Sequence, residues 1–294
     1  MLRAGLYMII TTACFVGGDT CLKLIGTSLP LGEVIALIGL FSTVFLSIIC
    51  VLQGIFKDVT LIFTRNVALR SSLDMLGSFM FVAALIHMPF ANLSAIMQSV
   101  PLCVVVFAVV FLGERAGIER IGAVIVGFIG VILVVKPSLQ TFNIYELLGL
   151  CTVAVVATRD LVTKTIPATV PLMIIALGNA VFVTIGGFFY GLAQGFQNVN
   201  GWQFGLLLIA GLLITMGYIL IVLTVRLGEL SATAPFRYAE VIFAIIAGIV
   251  VFNEYPDLLS YFGMALIISA GLYAARHEAV RSRKAAAELM PSAF

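Results

Sequence analysis

The sequence predicts an all-α integral membrane protein of ten transmembrane helices. They form an inverted five-plus-five repeat with the N- and C-termini cytoplasmic. Three observations lead there. The 294 residues are 62% apolar and 10% charged, against about 45–50% and about 25% in an ordinary soluble domain. Apolar stretches of roughly 20 residues, the length of one membrane crossing, follow one another along the chain. Polar landmarks recur at a separation of 140 or 141 positions.

Mean hydropathy is +1.19. Composition alone excludes a soluble enzyme and a disordered chain. A net charge of +2 leaves no basic field to hold nucleic acid. The partners implied are the lipid bilayer and a small molecule, at a multi-pass position in the inner (plasma) membrane.

The spans read in order, bounded by charges, prolines and polar clusters. The first, 4–26, follows Arg3. It is too long for a signal-peptide core, contains Asp19 and has no A-x-A cleavage site, so it counts as a span. The next four are 32–54, 67–87, 91–112 and 118–136. The second five are 143–164, 170–193, 204–226, 230–252 and 257–276. Residues 1–141 then form the first repeat, 142–276 the second, and 277–294 a basic tail. With the N-terminus inside, 14 of the 16 lysines and arginines fall on the cytoplasmic side; Lys23 and Lys136 fall outside.

The repeat rests on matched residues. Asp19, Lys23 and Pro30 are followed 141 positions later by Asp160, Lys164 and Pro171. Gly113-Glu114 is matched by Asn253-Glu254, and Gly122 and Gly130 by Gly263 and Gly271. Five spans per half is an odd number, so the halves enter the membrane in opposite senses, as in many secondary transporters.

On these residues the chain resembles the EamA-type, ten-span branch of the drug/metabolite transporter superfamily. The motifs are Leu112-Gly113-Glu114-Arg115 with Gly127-Phe128-Ile129-Gly130 in the first half. In the second they are Ala234-Pro235-Phe236-Arg237-Tyr238, Phe252-Asn253-Glu254-Tyr255-Pro256-Asp257 and Ser269-Ala270-Gly271-Leu272-Tyr273. The second-half pattern is most similar to the bacterial riboflavin and S-adenosylmethionine transporters. The resemblance implies transport of a small organic metabolite. Asn253 departs from the family pattern, where glycine precedes the glutamate.

Ionisable groups at membrane depth cost roughly 2.5–3.5 kcal/mol each on insertion scales, so every one needs a partner or water. Spacing of four pairs Asp19 with Lys23, Asp160 with Lys164 and Arg70 with Asp74. The first two are either gates, one per membrane face, or ordinary helix ends near the headgroups; the third reads as a structural pair. Arg237 lies roughly 10 Å inside the ninth span, with Glu240 one turn on. Tyr238 matches Gln98 across the repeat. Gln98, Arg237, Tyr238 and Glu240, with Asn179 in the seventh span, are the expected substrate-binding set. An internal Arg–Glu pair, and a helix-bridging Asn179, are the structural alternatives.

Gly187-x-x-x-Gly191-x-x-x-Gly195 and Ala123-x-x-x-Gly127 suit close helix packing, expected within the ten-span bundle, with a homodimer contact the alternative. Five cysteines without a C-x-x-C pair and two histidines predict neither disulfide framework nor metal site. No phosphate loop, H-E-x-x-H or G-x-S-x-G motif is present, so neither cofactor nor catalytic residue is expected. The expected function is alternating-access transport, with riboflavin or S-adenosylmethionine type cargo leading. An amino-acid or amine exporter, a lipid flippase and a non-transporting scaffold are the alternatives.

Overall fold

The computed structural model describes residues 2–113, 117–136, 143–227 and 235–288, and among them every regular element is a helix. They are α1 (Leu2–Ile25), α2 (Leu31–Leu52), α3 (Arg65–His87), α4 (Phe90–Met97), α5 (Val100–Leu112), α6 (Ile118–Val135), α7 (Ile144–Thr163), α8 (Leu172–Gln194), α9 (Gly201–Leu227), α10 (Ala239–Phe252) and α11 (Leu258–Glu288). Short 3₁₀ turns at Gly26–Ser28 and Phe56–Phe63 link the first three. Glu114, Arg115, Ala234, the 141/142 repeat boundary and residues 289–294 lie outside the described residues.

Proline sets several boundaries. Pro30, Pro89 and Pro171 sit at the N-caps of α2, α4 and α8, where the missing amide costs nothing. Asn143 caps α7 through a capping box with Glu146. α5 ends on Gly113 (φ 67°) and α10 on Asn253 (φ 53°), both left-handed. After glycine, asparagine is the residue that best tolerates this conformation, so Asn253 performs the turn that Gly113 performs in the first half.

Among the described residues eight segments are long and apolar enough to cross a membrane: Ala4–Ser28, Leu31–Leu52, Arg65–His87, Phe90–Phe111, Leu172–Gln194, Gly201–Thr224, Pro235–Phe252 and Leu258–Arg276. The two further expected spans correspond to α6, whose apolar part Ile121–Val135 is shorter, and to α7, which carries Glu146, Arg159 and Asp160. The fourth span is not one helix but two, α4 and α5. α11 runs on through the expected tail to Glu288.

α2 lies along α8, α1 along α9, α6 along α11 and α3 along α7. Small residues permit the closest of these approaches. A Cβ on Gly187 would stand 2.4 Å from the Ala36 nitrogen, and one on Gly32 2.3 Å from that of Gly191. Where lipid removes the hydrophobic drive between helices, such backbone contact supplies the van der Waals attraction. Gly195 instead ends α8 with φ 83°. Thr43 of α2 and Thr184 of α8, 141 positions apart, share a hydrogen bond of 3.2 Å. Phe90, Leu93, Ile96, Ile174 and Leu207 are fully buried between helices, whereas Ile48, Ile132, Phe189 and Val250 face outward. That inside-and-outside apolarity is what hydrocarbon surroundings favour.

Candidate functional site

A cavity of about 320 Å³ lies at the centre of the bundle, lined from α1, α2, α3, the α4–α5 junction, α7, α8, α9 and the start of α10. Phe15, Ile38, Phe81, Met97, Val183 and Ile214 form its apolar wall. Asp19, Ser42, Asp74, Gln98, Arg159, Asn179, Tyr218, Arg237 and Glu240 form its polar one. Arg237 is exposed as well as cavity-lining, which marks that end as the mouth.

Two helix breaks build one wall. Pro101, in the first turn of α5, has no amide to give the Met97 carbonyl, and the chain turns at Gln98 and Ser99. Tyr238, the position that matches Gln98, is likewise a turn between Pro235–Arg237 and α10. The Gln98 side-chain amide donates to Glu240 Oε2 at 3.0 Å, and Arg237 acts electrostatically on the same carboxylate. Gln98, Arg237 and Glu240 therefore come together at the cavity. Tyr238 does not join them. It is buried against Gly271, where a Cβ would stand 1.8 Å from its hydroxyl oxygen.

The opposite wall carries a polar relay. Arg70 donates to Asn179 Oδ1 at 2.5 Å and to Thr163 Oγ1 at 2.9 Å, and Ser71 donates to the same Asn179 oxygen at 3.2 Å. Asp74 pairs with Arg159, which holds Asp160 at 2.7 Å. Two of the expected four-residue pairs are thus replaced: Arg70–Asp74 by Arg70–Asn179 and Asp74–Arg159, and Asp160–Lys164 by Asp160–Arg159. Asn179 is 2% exposed, yet its amide nitrogen has no hydrogen-bond partner among the described residues; neither has the buried Ser42 hydroxyl.

The Asp19–Lys23 pair is also replaced. Lys23 Nζ meets Glu254 Oε1 at 2.7 Å, donates to the Met88 carbonyl and stands 5.2 Å from the Phe252 ring centre. Glu254 Oε2 accepts the first amide of α4, Phe90 N–H, at 2.7 Å, the end of a helix where a carboxylate is favoured. The Lys23 side chain is 7% exposed. This cluster ties the end of α1, the start of α4 and the end of α10 on the face remote from Arg237. Beyond it Lys136 pairs with exposed Asp257, and that contact, with the Ser260 amide, holds the Asp257 carboxyl down at about 2.

Asp19, released from Lys23, makes no hydrogen bond or ion pair among the described residues. Spacing on one helix missed Arg159, Tyr218, Ser42 and Glu254. The recurrence of a glutamate after a left-handed residue in each half was the signal available for Glu254. Among the described residues no group of three or more His, Cys, Asp or Glu could hold a metal ion.

The comparisons agree with this architecture. A riboflavin transporter of Rhizobium johnstonii is 29% identical over 222 residues, 74% of this chain and 72% of that one. An S-adenosylmethionine uptake transporter of Rickettsia bellii is 29% identical over 205 residues, 70% of each. A pseudopaline exporter of Pseudomonas aeruginosa is 26% identical over 191 residues, 64% of this chain and 66% of that one. One solved crystal structure, 14% identical, superposes with a TM-score of 0.61 over 93% of this chain and 98% of that chain, a likeness of fold alone. The EamA-like transporter family matches twice, over residues 2–136 and 143–274, and the chain belongs to that family as a multi-pass membrane protein.

Proposed function

We propose that the chain is a secondary transporter that moves a small organic metabolite through the central cavity by alternating access. It does so as an inverted five-plus-five repeat of ten spans with both termini cytoplasmic. The observation that carries the reading is the cavity itself, walled by both halves, with two unsatisfied buried polar atoms, Asn179 Nδ2 and Ser42 Oγ, on its lining residues. Buried polar atoms without partners are costly, so a cargo that satisfies them gains affinity.

The pairing of helices supports the repeat. Under the 141-residue shift the first span corresponds to the sixth and the third to the eighth. The contact of α1 with α9 and that of α3 with α7 are therefore the same contact made twice. The breaks at Gln98 and Tyr238 are another such pair. The cavity size falls at the low end of small-molecule sites, about 300–1,000 Å³, which favours a metabolite over a phospholipid. Its mixture of phenylalanines, guanidinium groups and carboxylates suits a planar or amphipathic cargo, riboflavin or S-adenosylmethionine in type. In this state the mouth is at Arg237 and the Lys23–Glu254 face is shut.

Arg237, at the mouth, donates hydrogen bonds to cargo oxygens, Gln98 and Glu240 orient it, and Asn179 donates from the opposite wall. The test is uptake into proteoliposomes, with a thermal-shift panel of flavins, S-adenosylmethionine, nucleosides and amino acids. Arg237→Ala is expected to fold and to lose transport and the shift given by the active class. Wild-type uptake by folded Arg237→Ala removes Arg237 from the site.

A further inference from the structure

We infer that Asp19 and Glu240 together form a binding site for one positive charge, and that Lys23 competes for it. The inference rests on the alternating-access reading above. Asp19 and Lys23 are one helical turn apart on α1 and within reach of each other. In this state Lys23 is engaged elsewhere, by Glu254, the Met88 carbonyl and the Phe252 face. Asp19 is left lining the cavity with no hydrogen bond or ion pair, and its like-charged neighbour is Glu240 of α10. Glu240 has the Gln98 amide and Arg237 beside it; Asp19 has neither.

The other ionisable groups are accounted for. From α3 and α7, Asp74 and Arg159 face the same cavity, and with Asp160 on Arg159 and Arg70 on Asn179 they make two charges of each sign. From α9 comes Tyr218, beside Asp74 and Asn179, and on α1 itself Cys21. Arg237 answers Glu240, so the Asp19 charge is uncompensated at membrane depth, where a lone carboxylate does not stay ionised without a cation.

The missing charge comes from one of two sources, a proton or the onium group of a cargo. A proton forms an O–H bond on either carboxyl and leaves as a hydrated proton; nothing is oxidised or reduced. Opening of the Lys23 face parts Glu254 from Lys23, whose ammonium then falls back on Asp19 and expels the bound cation. Closing of that face withdraws Lys23 and re-creates the site. The ion pair predicted by spacing is, on this account, the pair of the opposite state.

The first experiment needs no cargo: infrared difference spectroscopy of the purified chain through a pH titration. A protonated-carboxyl stretch that follows pH is expected in the wild type, lost in Asp19→Asn, altered in Glu240→Gln and kept in Asp19→Glu, which guards against misfolding of the amide variant. The second compares binding of S-adenosylmethionine with that of S-adenosylhomocysteine, nearly the same molecule without the sulfonium. An onium site predicts, from charge attraction alone, a preference of about tenfold for the charged ligand, abolished in Asp19→Asn. The band alone assigns the site to a proton; the preference without the band assigns it to cargo. A folded Asp19→Asn unchanged from wild type in both overturns the inference. So does a wild type with neither signal. Loss of transport in every assay, with the band intact, would instead sink the transporter reading.

Discussion

Asp74 and Arg159 meet between α3 and α7, with Asp74 8% and Arg159 22% exposed at the side chain. Truncating one member of so buried a pair strands the other. Arg159→Ala should therefore lose about 3 kcal/mol of stability, seen as a lower unfolding temperature in detergent. Pairing it with Asp74→Asn should recover part of the loss. The same residues mark the limit of what spacing could disclose. A four-residue pair on one helix is worth about 0.2–0.5 kcal/mol, and a buried hydrogen bond to a charge about 1.5–3 kcal/mol. Arg70 therefore turns to Asn179 and Asp74 to Arg159, and Lys23 crosses to Glu254. Which groups are ionisable at depth was legible, and so was a cluster at Gln98, Arg237 and Glu240. Which charge answers which was not, because the winning partner lies on another helix. Tyr238 stands 140 positions after Gln98 and breaks its helix as Gln98 does, but its side chain is spent on Gly271.

Helix ends carry more of their reason in the local sequence. Pro30, Pro89 and Pro171 open helices where proline is harmless, and Gly113 closes α5 where only a left-handed residue fits. Asn253 occupies the matching end of α10 at φ 53° and ψ 33°. Asn253→Gly should fold as well as the wild type. Asn253→Val should cost about 1–2 kcal/mol, because its branched side chain collides with the backbone there. Thermal unfolding of the two variants side by side checks this. That loss would also misdirect Glu254, the next residue, so Asn253→Val should weaken the Lys23 contact as well as the helix. The split of the fourth span into α4 and α5 was not read, although Pro101 stands in plain view. Proline inside an apolar run either kinks a span or divides it, and the neighbouring helices decide which.

For the whole molecule, hydropathy disclosed the helices, whereas which helix lies along which came from the structure. The cavity emerges only when all of them meet. The proposed alternation makes the Lys23–Glu254 contact a latch on one face. In a chain whose five cysteines are replaced by serine, Leu22→Cys places a thiol on the cavity wall beside Lys23. Adding Glu254→Gln should raise its rate of labelling by an impermeant maleimide from the Lys23 side about tenfold, since a charge-assisted bond worth about 1.5 kcal/mol is lost. Equal rates would show that this contact does not hold the face shut. The bond between Thr43 and Thr184 has a different consequence. On the inverted repeat proposed above, residues that match and also touch each other sit on the axis that relates the two halves. Whatever stands there confronts its own duplicate. A lysine or aspartate would meet like charge, whereas a hydroxyl can donate to its twin or accept from it. On that proposal the seam along α2 and α8 is self-complementary.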